Sequence, residues 1–558
     1  MEHPLLTLSA LLIFLPLLLN TFRLFHNYRL ARSTGLPIVV YPFSPSNGLI
    51  ILLLSLPPIQ RLVNRFPQQC ADYFNNATFT NHWKVKGRFA MMQGGGGGTM
   101  ATDGKRQGAF ISVSSAKIVV WVTNAEWANE VLNSRNHNMF PKPAKAYEIM
   151  KLHGPNILTS EGSEFVHHKK HALPAFGERN NTLVWTESLR QATEMCGTWT
   201  SPLDIGSSTL SLALHVLSSA AYGIPMSFSE RSEGFHSVLN FVTGNLPMHA
   251  LATSTFPSWF LKRFLKQHWN AWEDFGGYLR SLIHKARTRE RGESERRDLL
   301  ELLVRGGNNE KEGLTTEELT GNLFIFTVAG HETSAQTLHF ALVSLALEQE
   351  AQEWAAEGVK EALQGEDEDS GNWKYEEVYP KLARVLCVML ETMRLYPIVP
   401  YIPKSTGPLG ATLGGIDIPS SVVIVDPTAL HRMPEYWGPE ADSFDPSRWD
   451  VNNEKSYLAA NKGQQGLQAY GLEYPTIHKP RRGAYCPFSD GARGCIGRKF
   501  AQVTFVAAVA TVLKGFKIRV AREDGEDQEA ANKRARRALD NSYATVSLRG
   551  GGECEVVF

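Results

Sequence analysis

No two cysteines in this 558-residue sequence stand in a Cys-x-x-Cys spacing; the six, Cys70, Cys196, Cys387, Cys486, Cys495 and Cys554, are scattered. The scatter argues against a disulfide framework and against a cysteine-based zinc site. Net charge is missing as well. The 57 basic and 56 acidic residues leave a formal +1, which gives no reason to expect a nucleic-acid partner. No internal repeat or linker divides the chain, and its length suits several domains or one large one. The glycines Gly94–Gly98 are not followed by the Lys-Ser/Thr of a phosphate-binding loop, and they read as a flexible connection. Charge is also absent from the stretch "LLTLSALLIFLPLLLNTF" that begins at Leu5 and ends before Arg23. A membrane span needs roughly 20 residues, with about 17 as the lower limit. Only Glu2 and His3 precede the run, no small-residue cleavage site follows it, and Arg23, Arg29 and Arg32 come after. This pattern predicts a retained anchor, not a signal peptide, with the body of the protein on the cytosolic side. The expected division is an anchor over 1–25, a membrane-proximal segment over 26–60 and one large domain over 61–558.

What is present is mostly helical. The β-branched runs Ile111–Val113 and Ile118–Val122 predict two strands, and the residues from Asn124 onward predict a helix. From Trp185 to Glu350 the pattern is mainly helical, and after Leu395 it turns proline- and β-rich. The fold class expected is mainly α with a minor β portion.

Two stretches carry candidate chemistry. In "FSDGARGCIGRKFA", Phe488 to Ala501, one cysteine sits among glycines and basic residues. Glycines let backbone approach a ligand closely, and arginine offers a rigid fork to carboxylates or phosphates. The loop reads as backbone wrapped against a flat anionic ligand with a thiolate aimed at it. The second stretch opens with Thr315-x-x-Glu318, a capping box, and runs apolar for several turns. It then places Gly330, His331, Glu332, Thr333 and Ser334 in the middle of a run that should be buried. Mid-helix glycine costs about 1 kcal/mol against alanine, and buried polar groups cost more unless paired. This predicts a helix passing beneath a ligand, the alternative being a surface-facing polar turn. Glu391 and Arg394 lie three apart on a helix that Pro397 should end.

Together these motifs resemble the cytochrome P450 family. Its haem loop, Phe-x-x-Gly-x-Arg-x-Cys-x-Gly, is matched by Phe488, Gly491, Arg493, Cys495 and Gly497. Its oxygen-activating helix is matched by Ala329 to Ser334, its Glu-x-x-Arg by Glu391 and Arg394, and its later aromatic-Pro-x-Arg by "FDPSRW" with Arg448. The resemblance implies the P450 fold behind an N-terminal transmembrane helix. It also implies haem b with Cys495 as axial thiolate, Phe488 shielding the sulfur and Arg493 on a propionate. Glu391, Arg394 and Arg448 are then a structural cluster. Thiolate ligation favours O–O cleavage. The implied reaction is RH + O2 + two electrons + two protons giving ROH + H2O, with Thr333 steadying dioxygen, Glu332 passing protons and Gly330 leaving room.

One departure stands out. Where many relatives have Trp-x-x-x-Arg facing a propionate, this chain has Phe165 and Lys169. Phenylalanine has no N–H to donate, and His168 is a candidate substitute. Lys404 aligns with a basic residue that often reaches the other propionate. The implied partners are a lipophilic substrate, O2, membrane lipid and a separate NADPH-cytochrome P450 reductase. Arg498 and Lys499 are either part of its docking face or ordinary solvated charges. Desaturation, rearrangement or dehydration is the alternative outcome on the same haem. The post-anchor sequence and the insertion Asn461–Gly483 are similar to fungal microsomal P450s of natural-product pathways, which implies location at the endoplasmic reticulum membrane.

Overall fold

The computed structural model describes residues 4–41, 65, 108–133, 139–199, 205–229, 258–288, 298–305, 313–450, 477–541 and 556–557. The short run Leu49–Leu56, the Gly94–Gly98 stretch and most of the Asn461–Gly483 insertion lie outside these residues. The architecture is mainly helical with a minor β part.

The strands are β1 (Ile38–Val40), β2 (Ala109–Val113), β3 (Ile118–Val122), β4 (Ile402–Ser405), β5 (Ala411–Leu413), β6 (Ile416–Ile418), β7 (Val422–Val425), β8 (Arg519–Val520) and β9 (Val556–Val557). Five of them form one sheet in the order β1-β2-β3-β7-β4. β2 and β3 pair antiparallel with Ile111 opposite Val120, and β7 and β4 pair antiparallel with Val423 opposite Lys404. That register places Lys404 on an end strand of the sheet.

The helices that build the core and the site are α1 (Pro4–Arg32), α2 (Gly162–Ala172), α3 (Glu178–Gly197), α4 (Ile205–Tyr222), α5 (Lys266–Thr288), α6 (Thr316–Leu347), α7 (Gln349–Ala362), α8 (Ala383–Leu395), α9 (Arg498–Gly515) and α10 (Gln528–Asn541). α6 is buried along most of its length between α4, α5, α8 and α9. It starts on the predicted capping box: Thr315 Oγ1 accepts from Glu318 N at 3.2 Å, and Glu318 Oε2 accepts from Thr315 N at 2.8 Å. α8 is buried on nearly every face and ends two residues before Pro397, which cannot continue a helix.

The N-terminal transmembrane helix is a correction. Among the described residues no helix is long and apolar enough to cross a membrane, so the expected single-pass anchoring in the endoplasmic reticulum membrane falls with it. α1 shows why. Counted to Asn20 and not to the first charge, the apolar stretch from Leu5 is 15 residues long, and Arg23, His26, Asn27, Arg29 and Arg32 follow; that is below the lower limit of about 17 for a span. Its second half docks on the protein instead. Ala31 is fully buried, Leu24 and Tyr28 pack against the core, and Asn27 Nδ2 donates to Ser114 O at 2.8 Å. Hydropathy alone misread a helix that finishes on the sheet.

Candidate functional site

The cysteine loop is a tight turn held from outside. Ser489 adopts φ +58°, alone among the described non-glycine residues in the left-handed region. Ser489 N donates to Cys486 O at 3.0 Å, and Cys495 N donates to Phe488 O at 2.9 Å. Asp490 Oδ2 accepts from Asn133 Nδ2 at 2.6 Å, tying the turn to the helix Ala125–Asn133. Gly491 has φ +67°, and a Cβ there would stand 2.6 Å from Leu132 O. Its need for glycine therefore comes from packing on that helix. At Gly497 a Cβ would meet only the Phe176 ring, at 3.7 Å, so that side of the loop is open.

Cys495 keeps accessible surface although protein atoms surround it. Burial raises its thiol, opposed by the backbone N–H of Gly497 and the charge of Arg498. Cys196, Cys387 and Cys486 are half-buried or buried. Burial raises each of those thiols too.

Beside the loop lies a cluster of cations with too few anions. Arg493 Nη2 donates to Ser160 O at 2.6 Å, Nη1 donates to Ile157 O at 3.3 Å, and the guanidinium pairs with Glu161. Lys142 Nζ donates to Leu158 O at 2.6 Å and lies 5.3 Å from the Tyr147 ring centroid. Burial pushes the Lys142 ammonium down to about 7, aided by Arg493 and Lys404 and opposed by Glu161. Lys404 is shifted down by burial as well, with Glu161 opposing and Arg493 adding to it. Among the described residues Glu161 is the one carboxylate paired with this trio. Like charges that are buried or half-buried demand compensation, and a dianionic ligand edge would supply it.

The segment 150–160 that carries the accepting carbonyls is pinned to α6. Asn322 Oδ1 accepts from Ile157 N at 3.0 Å, and a Cβ at Gly321 would stand 2.4 Å from Pro155 O. Lys169 donates through Nζ to Ala492 O at 2.9 Å, so its charge supports the loop backbone. His168 turns the other way. It is buried against α6, with Nδ1 2.8 Å from Asn322 Nδ2 and Nε2 3.9 Å from Glu318 Oε1. Phe165 lies under Arg493, with the guanidinium carbon 3.5 Å from the ring centroid.

Opposite the loop, α6 opens. Ala329 is exposed and Gly330, Glu332 and Thr333 are partly so, while the turns on both sides are buried. Thr333 Oγ1 donates to Ala329 O at 2.6 Å. A Cβ at Gly330 would point at Leu217 of α4, 3.5 Å away, so Ala329 is the small residue turned to the opening. Phe176 joins the two sides, meeting Phe326 of α6 edge-on at 5.2 Å and facing Gly497.

Behind the loop, Glu391, Arg394 and Arg448 form one buried cluster. Glu391 Oε1 accepts from Arg394 Nη2 at 2.8 Å, Arg448 Nε at 2.9 Å and Asp445 N at 2.9 Å. Its Oε2 accepts from Arg394 Nε at 2.8 Å and Trp449 Nε1 at 3.0 Å. Burial alone would raise the Glu391 carboxyl, but the two guanidinium groups outweigh it and hold it at about 2.

Residues 105–539 match the cytochrome P450 family. This chain belongs to that family. The P450 is 30% identical to cytochrome P450 monooxygenase 124 of Postia placenta over 76% of this chain and 80% of that one. It is 29% identical to a cytochrome P450 monooxygenase of Arthrobotrys oligospora over 79% and 81%. A phomenoic acid biosynthesis cluster cytochrome P450 monooxygenase of Leptosphaeria maculans is 26% identical over 93% and 92%. In fold it is similar to a crystal structure of a cytochrome P450, with a TM-score of 0.62 and 22% identity over 80% of this chain and 93% of that one. The P450 is therefore a haem-thiolate monooxygenase that uses O2, with haem b on a cysteine thiolate.

The residues present fit that group. The surplus of cations at Lys142, Lys404 and Arg493 suits two propionates, and the accessible Cys495 and the open side of Gly497 suit a ring lying against the loop. Lys142, Glu161 and Asn322 were not singled out by motif. A faint signal exists for Lys142, a lysine between Pro141 and Pro143, where its long side chain starts from a stiff backbone.

Proposed function

We propose that this monooxygenase hydroxylates a lipophilic secondary metabolite with electrons from NADPH through a separate reductase. The observation that carries the reading is the break in the burial of α6, where Ala329 is exposed and Glu332 and Thr333 are partly so between buried turns. Just past α8, Val399 is 49% exposed, adding an apolar residue with surface to offer. One similar protein is named for a natural-product cluster, phomenoic acid biosynthesis, which supports the substrate class.

Haem b supplies the oxygen-activating chemistry once bound, through the thiolate of Cys495. The remaining work falls to side chains of this chain. Arg493, Lys142 and Lys404 offset the propionate charge, while Glu161 limits their mutual repulsion. Thr333 keeps its hydroxyl at the opening through the bond to Ala329 O, and that hydroxyl is free to accept a second proton donor. Glu332, its neighbour, moves protons between solvent and the opening. Arg498 and Lys499 open α9 directly after the loop and are the residues to test for reductase docking; Lys499 Nζ lies 4.6 Å from the Tyr379 ring centroid.

The test is untargeted. Reconstituted enzyme and an NADPH-dependent flavin reductase are given a metabolite extract under 18-O2. Lipophilic products heavier by one labelled oxygen support the reading; NADPH-dependent products without label would point to desaturation or rearrangement instead.

A further inference from the structure

One side chain joins the Glu391 cluster to the cysteine loop. His431 follows the helical turn Pro427–Leu430 and is fully buried. Its backbone carbonyl accepts from Arg394 Nη1 at 2.8 Å. Its ring contacts two further backbone groups: Nδ1 lies 3.3 Å from Met393 O, and Nε2 lies 2.9 Å from Cys486 N. A carbonyl only accepts, so Nδ1 carries the proton. An amide N–H only donates, so Nε2 is the bare acceptor. These contacts select one neutral tautomer. Burial pushes the imidazole down to about 3, so the tautomer persists across the working pH range.

From Cys486 the bonding runs on to the ligand. Cys486 O accepts from Ser489 N, and Phe488 O accepts from Cys495 N. Tyr485, packed on the His431 ring at 5.0 Å, donates from its hydroxyl to Leu390 O at 2.9 Å. The segment 485–488 thus hangs from α8 and His431 just before Ser489, whose positive φ is locally unfavourable. Such a turn persists when its surroundings over-determine it, and the imidazole is one of those surroundings.

We propose that His431 is a positioning residue for the haem ligand. Its neutral imidazole carries the geometry of the Glu391–Arg394–Arg448 cluster to Cys486, and so fixes where Cys495 presents its sulfur. The inference rests on Cys495 being that ligand. Glutamine can donate to Met393 O through Nε2 and accept from Cys486 N through Oε1, so it is the conservative replacement. Phenylalanine keeps the ring volume and removes both bonds.

The experiment compares His431→Phe and His431→Gln holoproteins by haem midpoint potential and by the rate at which the reduced, CO-bound protein loses its thiolate-type Soret band in mild urea. A lost bond to a buried amide predicts about tenfold faster loss in the Phe variant, together with a shifted potential. The Gln variant should return both towards wild type. Wild-type behaviour in the Phe variant overturns the proposal, and so does equal damage in both variants, which would make His431 a packing residue only. Should the Phe variant take up no haem, the Gln variant decides by the same readouts. Absence of the thiolate band from the wild type would instead refute the reading of Cys495.

Discussion

The Arg493 guanidinium lies over the Phe165 ring, 3.5 Å from centroid to central carbon. In place of an indole N–H aimed at a propionate, this chain has a ring that orients the arginine already bonded to Ser160 O and paired with Glu161. A cation–π contact out of bulk water contributes about 2 kcal/mol. Phe165→Ala should therefore release haem to a scavenging apoprotein about tenfold faster or more, with an unchanged thiolate spectrum in the fraction still loaded. Phe165→Tyr should stay near wild type.

Lys142 predicts a pH dependence in the haem-free protein. Its pKa is pushed from 10.5 to about 7, so the unfolded chain binds the extra proton between those values. Apoprotein stability should rise with pH from about 7 towards 10.5. Propionates favour the charged form, so haem uptake should be accompanied by proton uptake at pH 8 to 9 and should weaken as pH rises. Lys142→Met should stabilise the apoprotein below pH 7 and flatten both profiles. Urea denaturation and haem titration at several pH values check this.

Glu391 works with the opposite sign. Its carboxyl is held at about 2 against an ordinary 4.5. The stabilisation is complete above pH 4.5 and is lost as pH falls towards 2. Removing one partner from a buried pair costs about 3–5 kcal/mol, so Arg448→Ala should lower the urea midpoint sharply and yield protein poor in haem.

Thr333→Ala should leave a folded haem protein that consumes NADPH and O2 but returns more peroxide and less product. The variant loses a hydroxyl fixed on Ala329 O, not an iron ligand. Product per NADPH is the readout, and an unchanged ratio would remove Thr333 from proton delivery. Glu332→Gln should slow turnover, because an amide cannot relay a proton.

Local signals made much of this legible in the sequence. Thr315 and Glu318 announce the start of α6, and Ile111–Val113 and Ile118–Val122 announce β2 and β3, because caps and strand patterns act within a few residues. Glu391, Arg394 and Arg448 could be grouped only through the family motif. Phe165 was visible as a departure, but its stack on Arg493 was not. Asn322 and His431 carry no local signature, and Lys142 has only its two flanking prolines; each matters through a backbone group elsewhere in the chain, as His431 does 55 residues from Cys486. The N-terminus misled for a related reason, since hydropathy does not record that Asn27 and Ala31 dock on the protein.

The central claim is that Cys495 is the haem ligand, and the reduced, CO-bound absorption spectrum of single serine variants at all six cysteines tests it most directly. A thiolate opposite CO gives a strongly red-shifted Soret band. The wild type and the variants at Cys70, Cys196, Cys387, Cys486 and Cys554 should show it, and Cys495→Ser alone should lose it. A Cys495→Ser protein that keeps the band while Cys486→Ser loses it would contradict the account.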